Sequence, residues 1–124
     1  MPQEKIVIFM GSRRDYKFAS RIEQFLEKEQ FPVKCEYTVA SAHKTLERLL
    51  DILQKYEKSG DCIVFITIAG LSDALSGVVA GFTKYPAIAC PPDSEKHGWP
   101  KVFSSVVTPK GVAVAYVPRP ENAA

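Results

Sequence analysis

The sequence predicts an α/β protein, with helices on both faces of a doubly wound parallel sheet of about five strands, in three layers. Short, largely apolar runs recur at residues 6–10, 31–39, 63–68, 86–90 and 112–117, which is how strands read when helices cover both faces. Between the first four runs lie stretches whose apolar residues repeat at helical spacing. At three junctions a strand passes into a helix through small or ionisable residues: Gly11-Ser12-Arg13-Arg14-Asp15, Ser41-Ala42-His43-Lys44-Thr45 and Ala69-Gly70-Leu71-Ser72-Asp73. Open α/β sheets hold ligands at the carboxyl ends of their strands, so these three turns are expected to line one pocket.

Each helix has its own signals. Over residues 15–30, Phe18, Ala19, Ile22, Phe25 and Leu26 form one stripe, with Asp15 placed as N-cap and Gln30-Phe31-Pro32 as the stop. Over residues 43–58 the stripe is Leu46, Leu49, Leu50, Leu53 and Tyr56, closed by Ser59-Gly60-Asp61. A third helix carries Ala74, Leu75, Val78, Val79 and Phe82, interrupted by Gly77 and Gly81. Glycine costs about 1 kcal/mol relative to Ala in a helix, so this spacing predicts close approach of another backbone, burial on several sides and a subunit contact. Residues 91–100 are too polar and proline-rich for a regular element, and a short helical piece is expected before the last strand. The order β-α-β-α-β-α-β-β is that of a flavodoxin-like fold.

Composition narrows the function classes. A chain of 124 residues, 46% hydrophobic and 24% charged, has the size and balance of a single globular domain, here 1–124. No apolar stretch reaches the roughly 20 residues of a membrane span, and Met1-Pro2-Gln3-Glu4-Lys5 lacks the apolar core of a secretory signal. A cytoplasmic protein with no membrane partner is expected. A net charge of +2, with basic residues interleaved with Glu23, Glu27 and Glu29, gives no basic patch for nucleic acid. Cys35, Cys62 and Cys90 are odd in number and lack CxxC spacing, so they read as reduced core thiols.

The turns carry the chemistry. At Gly11-Ser12 the unsatisfied N–H groups and macrodipole of a helix start favour an anion, and Arg13 and Arg14 add charge that suits phosphate. The spacing matches neither a P-loop nor a dinucleotide fingerprint. A plain strand–helix connector fits Gly11-Ser12 as well, and Asp15 suits either a helix cap or a sugar hydroxyl. His43 titrates near neutrality and is the candidate for proton transfer, with Lys44 beside it to neutralise a phosphate or carboxylate. The competing reading has Ser41 capping the helix while His43 and Lys44 occupy its exposed first turn. No metal-ligand spacing surrounds His43 or His97, and no GxSxG elbow is present. The Ser72 hydroxyl and the amides near Gly70 are suited to a small planar or anionic group. His97 and Trp99 lie in the 91–100 loop, where closure over a ligand and idle exposure both remain open.

In this order along nearly the whole chain, the motifs Val-Ile-Phe-Met-Gly-Ser-x-x-Asp (7–15), Ser-Ala-His-Lys-Thr (41–45), Ile-Ala-Gly-x-Ser-x-Ala-Leu-Ser-Gly (68–77), Ile-Ala-Cys-Pro-Pro (88–92) and Ser-Ser-x-x-x-Pro-x-Gly (104–111) resemble the PurE family. That family comprises phosphoribosylaminoimidazole carboxylases and N5-carboxyaminoimidazole ribonucleotide mutases. Lys44 after His43, the Ala-Gly-x-Ser turn and Cys-Pro-Pro resemble the CO2-dependent carboxylase class (class II). Mutases typically carry Arg after the His. The resemblance implies that Ser12, Asp15, Ser41 and Lys44 hold the ribose phosphate of aminoimidazole ribonucleotide, that Gly70 and Ser72 face the base and the incoming CO2, and that His43 is the acid/base. It implies no cofactor, and a homo-oligomer, octamer or tetramer.

The chain also departs from the family. Arg14 stands where the first turn usually has Ser, and Leu71 and Asp73 replace Arg and Asn. Val106-Val107-Thr108-Pro109 replaces a motif with Arg or Gln before Met-Pro. Family members usually continue past the Glu121–Ala124 region into a helix that packs across subunits. Either Arg14 replaces the lost charge or the substrate differs, so a non-catalytic homologue that binds a nucleotide or phosphosugar stands as the alternative, with the mutase reaction as a third.

Overall fold

The computed structural model describes residues 2–42, 44–69, 74–92 and 109–124. A five-stranded, all-parallel sheet has the order β2-β1-β3-β4-β5, with β1 at Glu4–Met10, β2 at Lys34–Val39, β3 at Cys62–Ile68, β4 at Ala87–Ala89 and β5 at Ala115–Tyr116. This is the flavodoxin-like order, as expected. Helices α1 (Tyr16–Lys28), α2 (Leu46–Ser59), α3 (Ala74–Phe82) and α4 (Pro120–Ala123) complete the described elements. No helix among the described residues is long and apolar enough to cross a membrane.

Alternating side chains of the central strands build two cores. Val7, Phe9, Ile63 and Phe65 pack with Leu49 and Leu53 of α2 and Leu75 and Val79 of α3 on one face. Ile8, Met10, Ile66 and Ile68 pack with Ala19, Ile22 and Leu26 of α1 on the other, where Ala123 and Ala124 also lie. β1 and β3 are therefore covered on both faces, which explains their continuous apolar runs. A forked ion pair from Arg21 to Glu121, at 2.8 and 3.0 Å, ties α4 to α1. On β3 the fully buried Thr67 hydroxyl has no hydrogen-bond partner among the described residues, and nothing in the structure explains it.

Several expected boundaries move for local reasons. The second strand begins at Lys34 rather than Phe31, because Gln30 takes a left-handed φ of 57° and the amides of Gln30 and Phe31 bond back to the carbonyls of Glu27 and Leu26. That is a Schellman stop, and it consumes the start of the apolar run. α2 begins at Leu46 rather than residue 43, and ahead of it Ser41 and Thr45 hydrogen-bond to one another. The last two strands shorten to three and two residues. α3 is covered less than expected: Leu75, Ser76 and Val79 are buried, but Phe82 is 41% exposed. A Cβ at Gly77 would meet nothing within 4 Å, and one at Gly81 would touch the Val112 side chain at 3.7 Å. The close backbone approach expected at these glycines is thus not made by any described residue. Of the three free thiols Cys90 is buried, Cys35 half-buried and Cys62 exposed, so the core reading holds fully for Cys90 alone. The short helical piece before the last strand lies outside the described residues.

Candidate active site

Met10 is in register with both Val39 and Ile68, so β1, β2 and β3 end level with one another. Just beyond, Gly11 N–H donates to the Ile68 carbonyl at 2.9 Å and Ala40 N–H donates to that of Met10 at 2.9 Å. The turns at 11–15 and 40–45, together with Ala69 at the base of the third, therefore leave one edge of the sheet. β1 sends its helix to one face while β2 and β3 send theirs to the other. This reversal is the switch point at which open α/β sheets form a ligand crevice.

The first turn is a 3-10 segment, Arg13–Asp15. Ser12, fully extended, caps it: its Oγ accepts from the Arg14 amide at 3.3 Å and from Arg14 Nε at 3.4 Å. The exposed Arg14 side chain is thereby folded back over Ser12. A Cβ on Gly11 would stand 3.7 Å from the Ile68 carbonyl oxygen, which is ordinary contact. Asp15 precedes α1 but its side chain makes no capping hydrogen bond, contrary to the cap expected of it. Burial raises its pKa above the usual carboxylate value, while the Ser12 backbone and the Arg14 guanidinium act in the opposite sense. Tyr16 packs against Tyr37 with the rings tilted by 57° and their centroids 5.0 Å apart, and Tyr37 OH donates to Glu23 at 3.0 Å. These aromatics seat the start of α1 against the edge strand.

The second turn is braced from within. Ser41 N–H donates to Thr45 Oγ1 at 2.8 Å, Thr45 N–H donates to the Ser41 carbonyl at 3.1 Å, and Lys44 N–H donates to Ser41 Oγ at 3.2 Å. Ser41 therefore acts as a turn cap, ahead of the helix rather than as its N-cap, and Lys44 is exposed. Arg48, in the first turn of α2, donates from Nη1 to the Val39 carbonyl. Sequence reasoning did not single out Arg48, Tyr16 or Tyr37. An exposed cation on a helix reads as a solvated face unless its reach is known.

The structure thus brings Gly11, Ser12, Arg14, Asp15, Ser41 and Lys44 to one sheet edge. His43, Gly70, Leu71, Ser72, Asp73, His97 and Trp99 lie outside the described residues. Among those described, no three His, Cys, Asp or Glu side chains are grouped to hold a metal. The Cys35 thiol, pushed up to about 11 by burial and then by Glu23 and Glu27, stays protonated at neutral pH and is unfit as a nucleophile.

The sequence profile of AIR carboxylase matches residues 5–124. A phosphoribosylaminoimidazole carboxylase of Archaeoglobus fulgidus is 45% identical over 120 residues, covering 97% of this chain and 64% of that protein. An N5-carboxyaminoimidazole ribonucleotide mutase of Methanocaldococcus jannaschii is 44% identical over 121 residues, covering 96% of this chain and 73% of that one. The chain therefore spans less than two thirds of the first relative's length. The crystal structure of Treponema denticola PurE superimposes with a TM-score of 0.90 at 39% identity, over 98% of this chain and 75% of that one.

Proposed function

Because the chain belongs to the AIR carboxylase family, we propose that it adds CO2 to aminoimidazole ribonucleotide, forming carboxyaminoimidazole ribonucleotide in de novo purine biosynthesis. The observation that supports this reading is the level ending of β1, β2 and β3, so that Gly11 to Asp15 and the described residues Ser41 and Lys44 follow strands that end on the same side of the sheet. The ribose phosphate is assigned to Gly11, Ser12, Arg14, Ser41 and Lys44. Asp15 accepts from ribose hydroxyls.

The reaction needs little beyond positioning. Aminoimidazole is an enamine-like nucleophile at C4, whose electron pair attacks the carbon of CO2 while one C=O pair moves to oxygen as carboxylate. His43 takes the C4 proton, and the C–H pair restores the aromatic ring. Gly70 and Ser72 are assigned to the new carboxylate. No metal or organic cofactor is required by this chemistry.

The substrates are aminoimidazole ribonucleotide and CO2, the compartment is the cytoplasm, and the working unit is a homo-oligomer, tetramer or octamer. The exposure of Phe82 on α3, 41%, supports self-association. A monomer by sizing at micromolar concentration would refute it.

The test mixes protein, aminoimidazole ribonucleotide and bicarbonate and follows product absorbance, with His43→Asn as control. Product formation at least about 100-fold above the variant is expected for an essential acid/base. Equal rates would remove the carboxylase reading. A second reading, the mutase reaction, draws on the almost equal identity to the M. jannaschii relative. Turnover of the N5-carboxylated substrate without turnover of aminoimidazole ribonucleotide would establish it instead.

A further inference from the structure

We propose that Arg48 is a positioning residue, whose guanidinium clamps the end of β2 and so fixes the turn that carries His43. This rests on the carboxylase reading for its catalytic consequence and on geometry alone for the clamp. Among the described strands β2 lies at the edge of the sheet, with β1 as its one neighbour. Since Ala40 turns its N–H toward Met10, the preceding carbonyl, that of Val39, points off the sheet, where no described strand pairs with it. Arg48 fills that vacancy from the first turn of α2.

The bond closes a ring from Val39 through the turn to Arg48. Inside the ring, Ser41 and Thr45 brace one another through the Ser41 N–H, the Thr45 N–H and the Thr45 hydroxyl, and Leu49 N–H bonds to the Thr45 carbonyl at 3.0 Å, joining the brace to α2. His43 stands in sequence between the two braced residues. The inner brace sets the shape of the turn. Arg48 sets where that shape stands on the sheet, because it joins the helix that follows to the strand that precedes. A planar, permanently charged donor suits a lone carbonyl at a solvent edge better than a neutral one.

The experiment uses the full chain as Arg48→Met, which keeps helix propensity and length but cannot donate, and as Arg48→Lys, which can. In the Met variant the amides of Ser41, Lys44 and Thr45 are expected to exchange about 10-fold faster. Those of Cys62 and Phe65, bonded to the carbonyls of Gln3 and Pro86, keep their rates. kcat is expected to fall about 10-fold with KM for the nucleotide changed less than about 3-fold, since small misplacement of an acid/base costs more in turnover than in phosphate contact. The Lys variant recovers part of both losses. Unchanged exchange at Ser41, Lys44 and Thr45 would overturn the clamp, as would equal acceleration at Phe65 or a Lys variant as impaired as Met. An inactive wild type would count against the carboxylase reading, and the exchange pattern would still decide the clamp.

Discussion

At Asp15 stability and the proposed ribose binding oppose one another. Its carboxyl is half-buried without a capping bond, and burial raises its pKa above the ordinary 3.8. A raised folded-state value means that its stabilising contribution is present below pH 3.8 and is lost as the pH rises through the folded value. At neutral pH the ionised group therefore costs stability, as expected of a residue kept for a ligand. Asp15→Asn is expected to raise the urea midpoint at pH 7, with the gain over wild type closing below pH 3.8. Affinity for aminoimidazole ribonucleotide is expected to fall about 10-fold or more, with loss of a charge-assisted hydrogen bond to the ribose. A variant that gained stability and kept full affinity would place Asp15 outside the ribose site. Arg14, folded over Ser12, supplies near this carboxylate a cation that the family's usual Ser lacks.

Among the elements, α1 shows how a helix stop can override an apolar run. Phe31 continues toward β2 in sequence, yet its amide is spent on the Leu26 carbonyl and it stays exposed. Gln30 bears the cost, because a side chain at φ 57° crowds its own carbonyl. Gln30→Gly is expected to stabilise the protein by about 0.5–1 kcal/mol, the relief of left-handed strain less the greater chain entropy of glycine. Urea midpoints measure it, and kcat/KM should not change because Gln30 follows the end of α1 remote from the 11–15 turn. By contrast α2 stops at Gly60, whose φ of 76° is free of this penalty. The C-terminal end of α2 also holds the connection from α3 to β4, with Glu57 accepting from the Thr83 hydroxyl and, at 3.1 Å, from the Lys84 amide.

Across the whole molecule, the proposed site and an anchoring ion cluster lie at opposite ends of the sheet. At the amino ends of the strands Lys5, its side chain only 10% exposed, pairs with Glu36 at 3.0 Å and Asp61 at 2.9 Å. Tyr56 adds a bond to Glu36 at 3.2 Å and Gln3 N–H one to Asp61 at 3.0 Å. The cluster joins β1, β2, α2 and the start of β3, and so holds the register that makes the other ends level. Gln3 N–H first and then Lys5 lower the Asp61 pKa below 3.8. A depressed value means stability present above pH 3.8 and lost as the pH falls through the folded value. Wild type is thus expected to lose urea resistance as the pH falls below 3.8, and Asp61→Asn to show a flatter acid limb. Equal slopes would remove Asp61 from the acid transition. Lys5, raised by Asp61 and then Glu36, stabilises below 10.5 and loses that contribution at higher pH.

Strand and helix identity, their order and the two apolar faces were readable along the chain, because burial on one or both faces leaves a local period in residue type. So was the gathering of Gly11, Ser12, Asp15 and Ser41 at one sheet edge, since each follows directly on a strand and parallel strands end on the same side. Boundaries were less readable where backbone hydrogen bonds overrode hydrophobicity, at Gln30–Phe31 and at Ser41–Thr45. The grip of Arg48 on Val39 and the raised pKa of Asp15 had no signature in residue order. Each depends on which strand lies at the edge and which surface is covered, and these follow from packing between segments far apart in the chain.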